Sequence, residues 1–163
     1  MLPHRIEHHI RKRLAGAARA NALAFAAHLR ASGMPPVRFK DNYWKGKSYW
    51  AVQYRGEYVC FILLNGSPAQ DKSEPEGWVV WFEDGGSDCF AAFPADEATK
   101  ETAWANVDIF QGDCGGGQCE GLRKVIFGKE FESLYRTLLC FNNPDAGAVG
   151  CMKKLVEIIA AHH

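Results

Sequence analysis

The fold is decided by the segment Ser48-Tyr-Trp-Ala-Val-Gln-Tyr-Arg-Gly-Glu-Tyr-Val-Cys-Phe-Ile-Leu-Leu64. Two runs of aromatic and β-branched residues flank the pair Arg55-Gly56. Such runs on either side of a short turn that contains glycine predict a β-hairpin. With a two-residue loop, we expect pairing of Tyr54 with Glu57, of Val52 with Val59 and of Trp50 with Phe61.

Both faces of this predicted hairpin are rich in apolar side chains. One face would hold Trp50, Val52, Tyr54, Glu57, Val59 and Phe61. The other would hold Tyr49, Ala51, Gln53, Tyr58, Cys60 and Ile62. Because neither face can stand bare in water, we expect one to meet helices and the other to line a cleft.

Further strands follow the hairpin. Trp78–Phe82 is β-branched and aromatic, which is typical of a third strand. Cys89 to Phe93 is predicted as a fourth, so that short turns connect an antiparallel meander. Lys124 to Phe131 predicts a further hairpin, with Gly128-Lys129 as its turn.

Three segments have helical patterns. Apolar residues recur at helical spacing from Arg5 to about Ser32, where Gly16 is a point of division into two helices. The second helical segment is expected from Pro94 to about Asn106. Asn143 is the expected cap of a closing helix that begins at Pro144 and ends near Ala161.

The composition fits one packed domain. The chain has 163 residues, of which 47% are hydrophobic and 12% aromatic, enough apolar content to form a core. We therefore predict a single α+β domain over residues 1–163, in which an antiparallel β-meander and a further hairpin pack against N-terminal, middle and C-terminal helices.

The charge is unevenly distributed along a neutral chain. Residues 1–50 carry ten Lys and Arg against two acidic residues, whereas the remainder carries nine against seventeen. The basic part could dock on an anionic partner or pair with the acidic part of the same protein. A net charge of zero argues against a dedicated nucleic-acid binder.

The sequence contains no membrane signal. The first nine residues lack the apolar core of a secretory signal, and no apolar run approaches the ~18 residues that span a bilayer. These features predict a cytoplasmic protein with no membrane partner. Its six cysteines are then expected to be thiols or metal ligands rather than disulfides.

Cys114 and Cys119 are the candidate metal ligands. They lie in the glycine-rich segment 111–121, and their spacing falls within the range of zinc knuckles. A closed zinc site needs two more ligands, and the sequence has no second short-spaced pair that would identify them. The competing interpretation is a surface loop with two free thiols.

Catalytic motifs are missing from the sequence. There is no Gly-x-Ser-x-Gly elbow, no phosphate-binding loop and no dinucleotide fingerprint. The carboxylates of Glu83-Asp84 and Asp88 flank two glycines and indicate a turn rather than an acid/base pair. A cysteine-dependent enzyme stays open only if a thiol of lowered pKa lies beside a base.

The strongest functional pattern is the density of aromatic residues in the predicted sheet. We expect Tyr49, Tyr58 and Trp81 to face a cleft, since small-molecule pockets combine apolar walls with a few polar groups. Simple core packing of these rings is the alternative. The leading hypothesis is a non-enzymatic module that binds a small organic ligand or a partner segment there, and the alternative hypothesis is a zinc protein.

Several short segments also carry a resemblance over nearly the whole length. They are Tyr43-Trp44, Ala103-Trp-Ala-Asn-Val-Asp108, Phe127-Gly-Lys-Glu-Phe131, Phe141-Asn-Asn-Pro-Asp145 and Cys151-Met-Lys-Lys-Leu-Val156. In these the chain resembles a group of small proteins of unknown function from anaerobic gut bacteria. That group often has Cys-x-x-Cys repeats in its glycine-rich segment, where this chain has only Cys114 and Cys119. The order of elements is similar, more distantly, to that of the YjbR-like small α+β domains.

Overall fold

A computed structural model of the chain describes residues 5–39, 48–64, 77–110 and 121–162. The helices are α1 (Ile6–Arg13), α2 (Gly16–Ala31), α3 (Glu97–Ala105) and α4 (Ala146–His162). The strands are β1 (Val37–Arg38), β2 (Ser48–Tyr54), β3 (Glu57–Leu64), β4 (Trp78–Phe82), β5 (Val107–Ile109), β6 (Leu122–Ile126) and β7 (Lys129–Asn142). No helix within the described ranges combines the length and the apolar character needed to cross a membrane.

The strands form one antiparallel sheet. Its order is β1-β2-β3-β4-β7-β5, and β6 pairs with β7 outside this path. The α+β fold predicted from the sequence, with an antiparallel meander, a further hairpin and helices from the beginning, middle and end of the chain, is therefore confirmed.

The hairpin β2–β3 has a different register from the one we predicted. Its turn is Arg55-Gly56, and both residues have positive φ angles, 52° and 84°, as a two-residue turn of the I′ type requires. A β-bulge between Val52 and Gln53 then shifts the pairing by one residue, so that Val52 faces Cys60 and not Val59.

One face of the sheet forms the main core with the helices. The bulge places Trp50, Cys60 and Ile62 on this face, in one hydrophobic cluster with residues of α1, α2 and α4. Phe82 lies at its centre, because its ring centroid is 6.1 Å from that of Phe25 on α2 and 5.8 Å from that of Phe141 on β7.

The opposite face is also buried in its central part. Leu63 and Val79 are 0% and 1% exposed, and Phe61 is 9% exposed. Phe39 packs on this face against Tyr49 and Phe61, at centroid distances of 5.3 Å and 6.3 Å. Apolar side chains are therefore packed on both faces of the hairpin.

Strand β7 is the longest element of the sheet, and its pairing leaves a gap. Leu134 pairs with Ile109 of β5 and with Leu122 of β6, while Leu139 pairs with Val107 of β5 and with Phe82 of β4. Since β5 occupies one side of β7, strands β4 and β6 must share the other side. Between them, no described strand pairs with residues 135–138 on that side.

The predicted fourth strand, Cys89 to Phe93, is wrong. This segment forms turns and bends, and β7 takes the place beside β4. The segment is tied to the β6–β7 turn, whose residues Phe127 and Gly128 donate backbone hydrogen bonds to the carbonyls of Phe90 and Ala91. That turn is Phe127-Gly128 and not Gly128-Lys129, and both of its residues have positive φ.

The helix boundaries follow local chemistry. The N-terminal helical pattern divides before Gly16, as expected. Helix α3 begins after Asp96, whose carboxylate accepts the backbone N–H of Thr99. The cap of α4 is Asp145, which accepts the N–H of Ala148 at 2.8 Å, whereas Asn143 instead accepts the N–H of Trp78 at 3.1 Å.

Phe82→Ala should lower the free energy of unfolding by about 3–5 kcal/mol, because it leaves a cavity between α2 and β7. Urea denaturation followed by circular dichroism measures the loss. Val37→Ala is the matched control, since Val37 is 63% exposed and its truncation should change stability by less than about 0.5 kcal/mol. A loss for Phe82→Ala no larger than that of the control would contradict the assigned core.

Candidate ligand-binding hollow

A half-open hollow of about 850 Å³ lies beside the gap in the sheet. Its floor includes four residues of β7 at and within the gap, Leu134, Tyr135, Arg136 and Leu138. The remaining lining residues are Glu57, Tyr58, Phe61, Glu83, Asp84, Gly86, Phe110, Gly121, Leu122 and Lys124. The hollow therefore exists because β6 separates from β4 along β7.

Two pairs of aromatic rings contribute to the lining. Tyr58 and Phe61 of β3 have ring centroids 5.0 Å apart. Phe110 and Tyr135 are also 5.0 Å apart and meet edge to face. The walls thus offer both ring faces and ring edges to a bound molecule.

The loop after β4 supplies carboxylates to the same hollow. Glu83 continues the β3–β4 pairing, since its N–H donates to the carbonyl of Val59. The buried Asp84 accepts the backbone N–H of Gly86 at 3.1 Å, and its carbonyl accepts the hydroxyl of Ser87. These bonds fix the turn and hold both carboxylates in place.

Lys124 connects β6 to this loop. Its Nζ lies 2.9 Å from Asp84 Oδ2 and 2.9 Å from Asp88 Oδ1. Burial opposes the charge of Lys124, but the hydrogen bonds to the two carboxylates outweigh that effect, and its pKa is raised. The ion pairs link the two strands across the gap.

Glu83 is the carboxylic acid in the lining whose pKa is shifted. Burial removes water from its carboxylate and raises its pKa, an effect that Arg136 partly offsets and that Asp84 and Glu57 increase. Arg136 is a distant partner, since its Nε is 3.6 Å from Glu83 Oε1 and its side chain is 89% exposed. Among the described residues, the ionised Glu83 carboxylate has only this long ion pair, so it keeps acceptor capacity for a ligand in the hollow.

The structure places the three predicted cleft residues around Phe61. Tyr58 lines the hollow. Tyr49 stacks on Phe61 at 5.7 Å with an interplanar angle of 7°. Trp81 is half-buried and pairs with Phe61 in register, which puts it on the same face of the sheet but outside the lining.

Other lining residues were missed by sequence reasoning. Phe61 was assigned to the opposite face, because the bulge shifts its pairing. Tyr135, Arg136 and Leu138 lie in a segment for which the sequence predicts no strand, because its apolar residues do not alternate with polar ones. Glu83 and Asp84 had been recognised only as parts of a turn.

The predicted metal ligands Cys114 and Cys119 lie outside the described residues. Within the described ranges, no group of three or more His, Cys, Asp and Glu side chains is arranged to hold a metal ion.

The four cysteines that the structure describes are poor nucleophiles. Burial raises the pKa of Cys89 to about 11 and those of Cys140 and Cys151 to about 12, and it raises that of Cys60 as well. These thiols are therefore protonated at neutral pH, and none of the four lines the hollow.

No protein-family model, curated protein or solved structure matches this chain. The resemblance to the group from gut bacteria stays a prediction.

Glu83→Gln should stabilise the protein at neutral pH. A carboxyl with a raised folded-state pKa binds its proton more tightly in the folded protein, so its ionisation costs stability above the ordinary value of 4.5. We expect a higher urea midpoint than the parent at pH 7, and a difference that shrinks as the pH falls from the raised folded-state pKa toward 4.5 and is lost below 4.5. The exposed Glu101→Gln is the control, and an unchanged or lower midpoint for Glu83→Gln at pH 7 would refute the raised pKa.

Iodoacetamide at pH 7 should leave Cys60, Cys89 and Cys151 unmodified in the folded protein, because all three are buried and protonated. Peptide mass spectrometry before and after unfolding in urea measures the modification at each site. Labelling of any of these thiols at the same rate in both states would show that it is accessible, contrary to the structure.

Proposed function

We propose that this protein is a non-enzymatic binding module that takes a small organic ligand in the hollow. The observation that carries the proposal is the hollow itself, which combines apolar and aromatic walls with a few fixed charged groups. Its volume of about 850 Å³ lies within the range of small-molecule sites, ~300–1,000 Å³.

The length of the gap favours a small molecule over a partner segment. Residues 135–138 of β7 span about 13 Å at the usual rise of an antiparallel strand. A typical strand has 5–6 residues, so an extended partner could pair over only part of its length. A ligand with one ring and a short chain fits the gap better.

The walls of the hollow are held before any ligand arrives. Lys124 ties β6 to the loop after β4, and Gly121 lies so close to Ser133 that an added Cβ would be 2.6 Å from its Cα. Preformed walls reduce the ordering that binding would otherwise require.

The lining supports binding more than nucleophilic catalysis. Among the described residues that line the hollow there is no Ser, Thr, Cys or His, the usual nucleophiles and bases. Of the charged lining residues, Lys124 and Asp84 are held in an ion pair at 2.9 Å. A cytoplasmic location, expected from the sequence, is part of this proposal.

A library of small aromatic and amine-bearing compounds, screened by thermal shift, tests the proposal. A ligand present at a hundred times its Kd should add about 2.7 kcal/mol to the free energy of unfolding. We expect at least one compound to raise the melting temperature of the parent protein.

Leu122→Trp should abolish that response. Leu122 is 42% exposed and lines the hollow, so a larger side chain can fill the space without entering the core. Val125→Trp is the matched control, because Val125 lies on the same strand, is 40% exposed and does not line the hollow. If every hit stabilises both variants equally, or if no compound binds, the hollow is not a ligand site.

A further inference from the structure

We infer that the hollow selects an organic cation, an ammonium group attached to an aromatic body. This inference rests on the proposed function and names the ligand class of the same site. It stands on the placement of carboxylates, cations and rings around one hollow.

The charge of the described lining residues is negative. Three carboxylates, on Glu57, Glu83 and Asp84, face two cations, on Lys124 and Arg136. Lys124 is already held by two carboxylates, Asp84 and Asp88, each at 2.9 Å. Its positive charge is therefore already matched by two carboxylates and only one of its three N–H donors is unused, which makes it a poor anchor for an anionic ligand.

Glu83 is the acceptor that a ligand cation would meet. Its side chain is only 14% exposed, while Arg136 remains 3.6 Å away and largely in water. Glu57 adds a second carboxylate at the same end of the hollow, because an added Cβ on Gly86 would lie 3.0 Å from Glu57 Oε2. An ammonium group bound there would form a charge-assisted hydrogen bond with Glu83, in place of the long ion pair between Glu83 and Arg136.

The rings of the same lining also favour a cation. Tyr58 of β3 lines the hollow, and its ring packs on that of Phe61, another lining residue. Aromatic faces attract ammonium groups, and the attraction grows when water is excluded. Leu122 of β6, which is 42% exposed, supplies apolar surface for the body of the same molecule.

Three probes of matched shape test the inference by isothermal titration calorimetry at pH 7. They are 2-phenylethylamine, which is a cation at this pH, the neutral 2-phenylethanol and the anionic 3-phenylpropanoate. We expect the amine to bind about tenfold more tightly than the alcohol, the effect of one charge-assisted hydrogen bond, and the anion to bind most weakly.

Glu83→Gln should remove the preference for the amine and change the affinity for the alcohol much less, because the amide oxygen of Gln still accepts a hydrogen bond from a hydroxyl but carries no charge. The exposed Glu101→Gln, on α3 and outside the lining, is the control that should keep the preference. Glu57→Gln, at the exposed start of β3, gives the same test at the second carboxylate, with a smaller expected loss.

The outcomes separate this inference from the proposed function. Equal affinities for the three probes, or a preference for the anion, would overturn the cation inference, while sensitivity of that binding to Leu122→Trp would keep the hollow as a ligand site. Absence of binding by all three probes at millimolar concentration would overturn the inference, and the compound screen decides the proposed function independently. An amine preference that survives both acidic substitutions would also overturn it.

Discussion

The structure depends on the pairing of one long strand with three others. Strand β7 has 14 residues, and it joins the meander to the C-terminal hairpin by pairing with β4 at one end and β6 at the other. Because both partners lie on the same side, any separation between them leaves part of β7 unpaired there. The hollow is a direct consequence of this geometry, and Lys124 holds its two sides together through Asp84 and Asp88.

A single extra residue in β3, Val59, decides what each face of the hairpin contributes. The bulge after Val52 directs Cys60 and Ile62 into the core with the helices, and it leaves Phe61 on the other face. There Phe61 contacts Tyr49 and Tyr58, and its register partner is Trp81. The aromatic cluster beside the hollow therefore depends on a local irregularity that shifts every later pair by one position.

The polar part of the site arises from a tight turn. Asp84 is fixed by the N–H of Gly86 and by Lys124, and Glu83 is held at the end of β4 by its backbone bond to Val59. The same residues that end the strand thus place negative charge at the edge of an apolar hollow. Burial of Glu83 beside Asp84 and Glu57 raises its pKa, which is a cost that a bound cation would offset.

The sequence by itself determined the elements whose signals are local. Helix periodicity with Gly16 gave the two N-terminal helices, and Arg55-Gly56 between β-rich runs gave the hairpin, because turn chemistry and side-chain spacing act over a few residues. Only the tertiary structure decided that β7 lies beside β4, that the bulge reverses the place of Phe61, and that Glu83, Lys124 and Tyr135 meet in one hollow. These features depend on contacts between distant segments, such as the pairing of Val80 with Phe141. The free energy of such contacts comes from the burial of both side chains together, and neither segment alone shows a sequence pattern that predicts it.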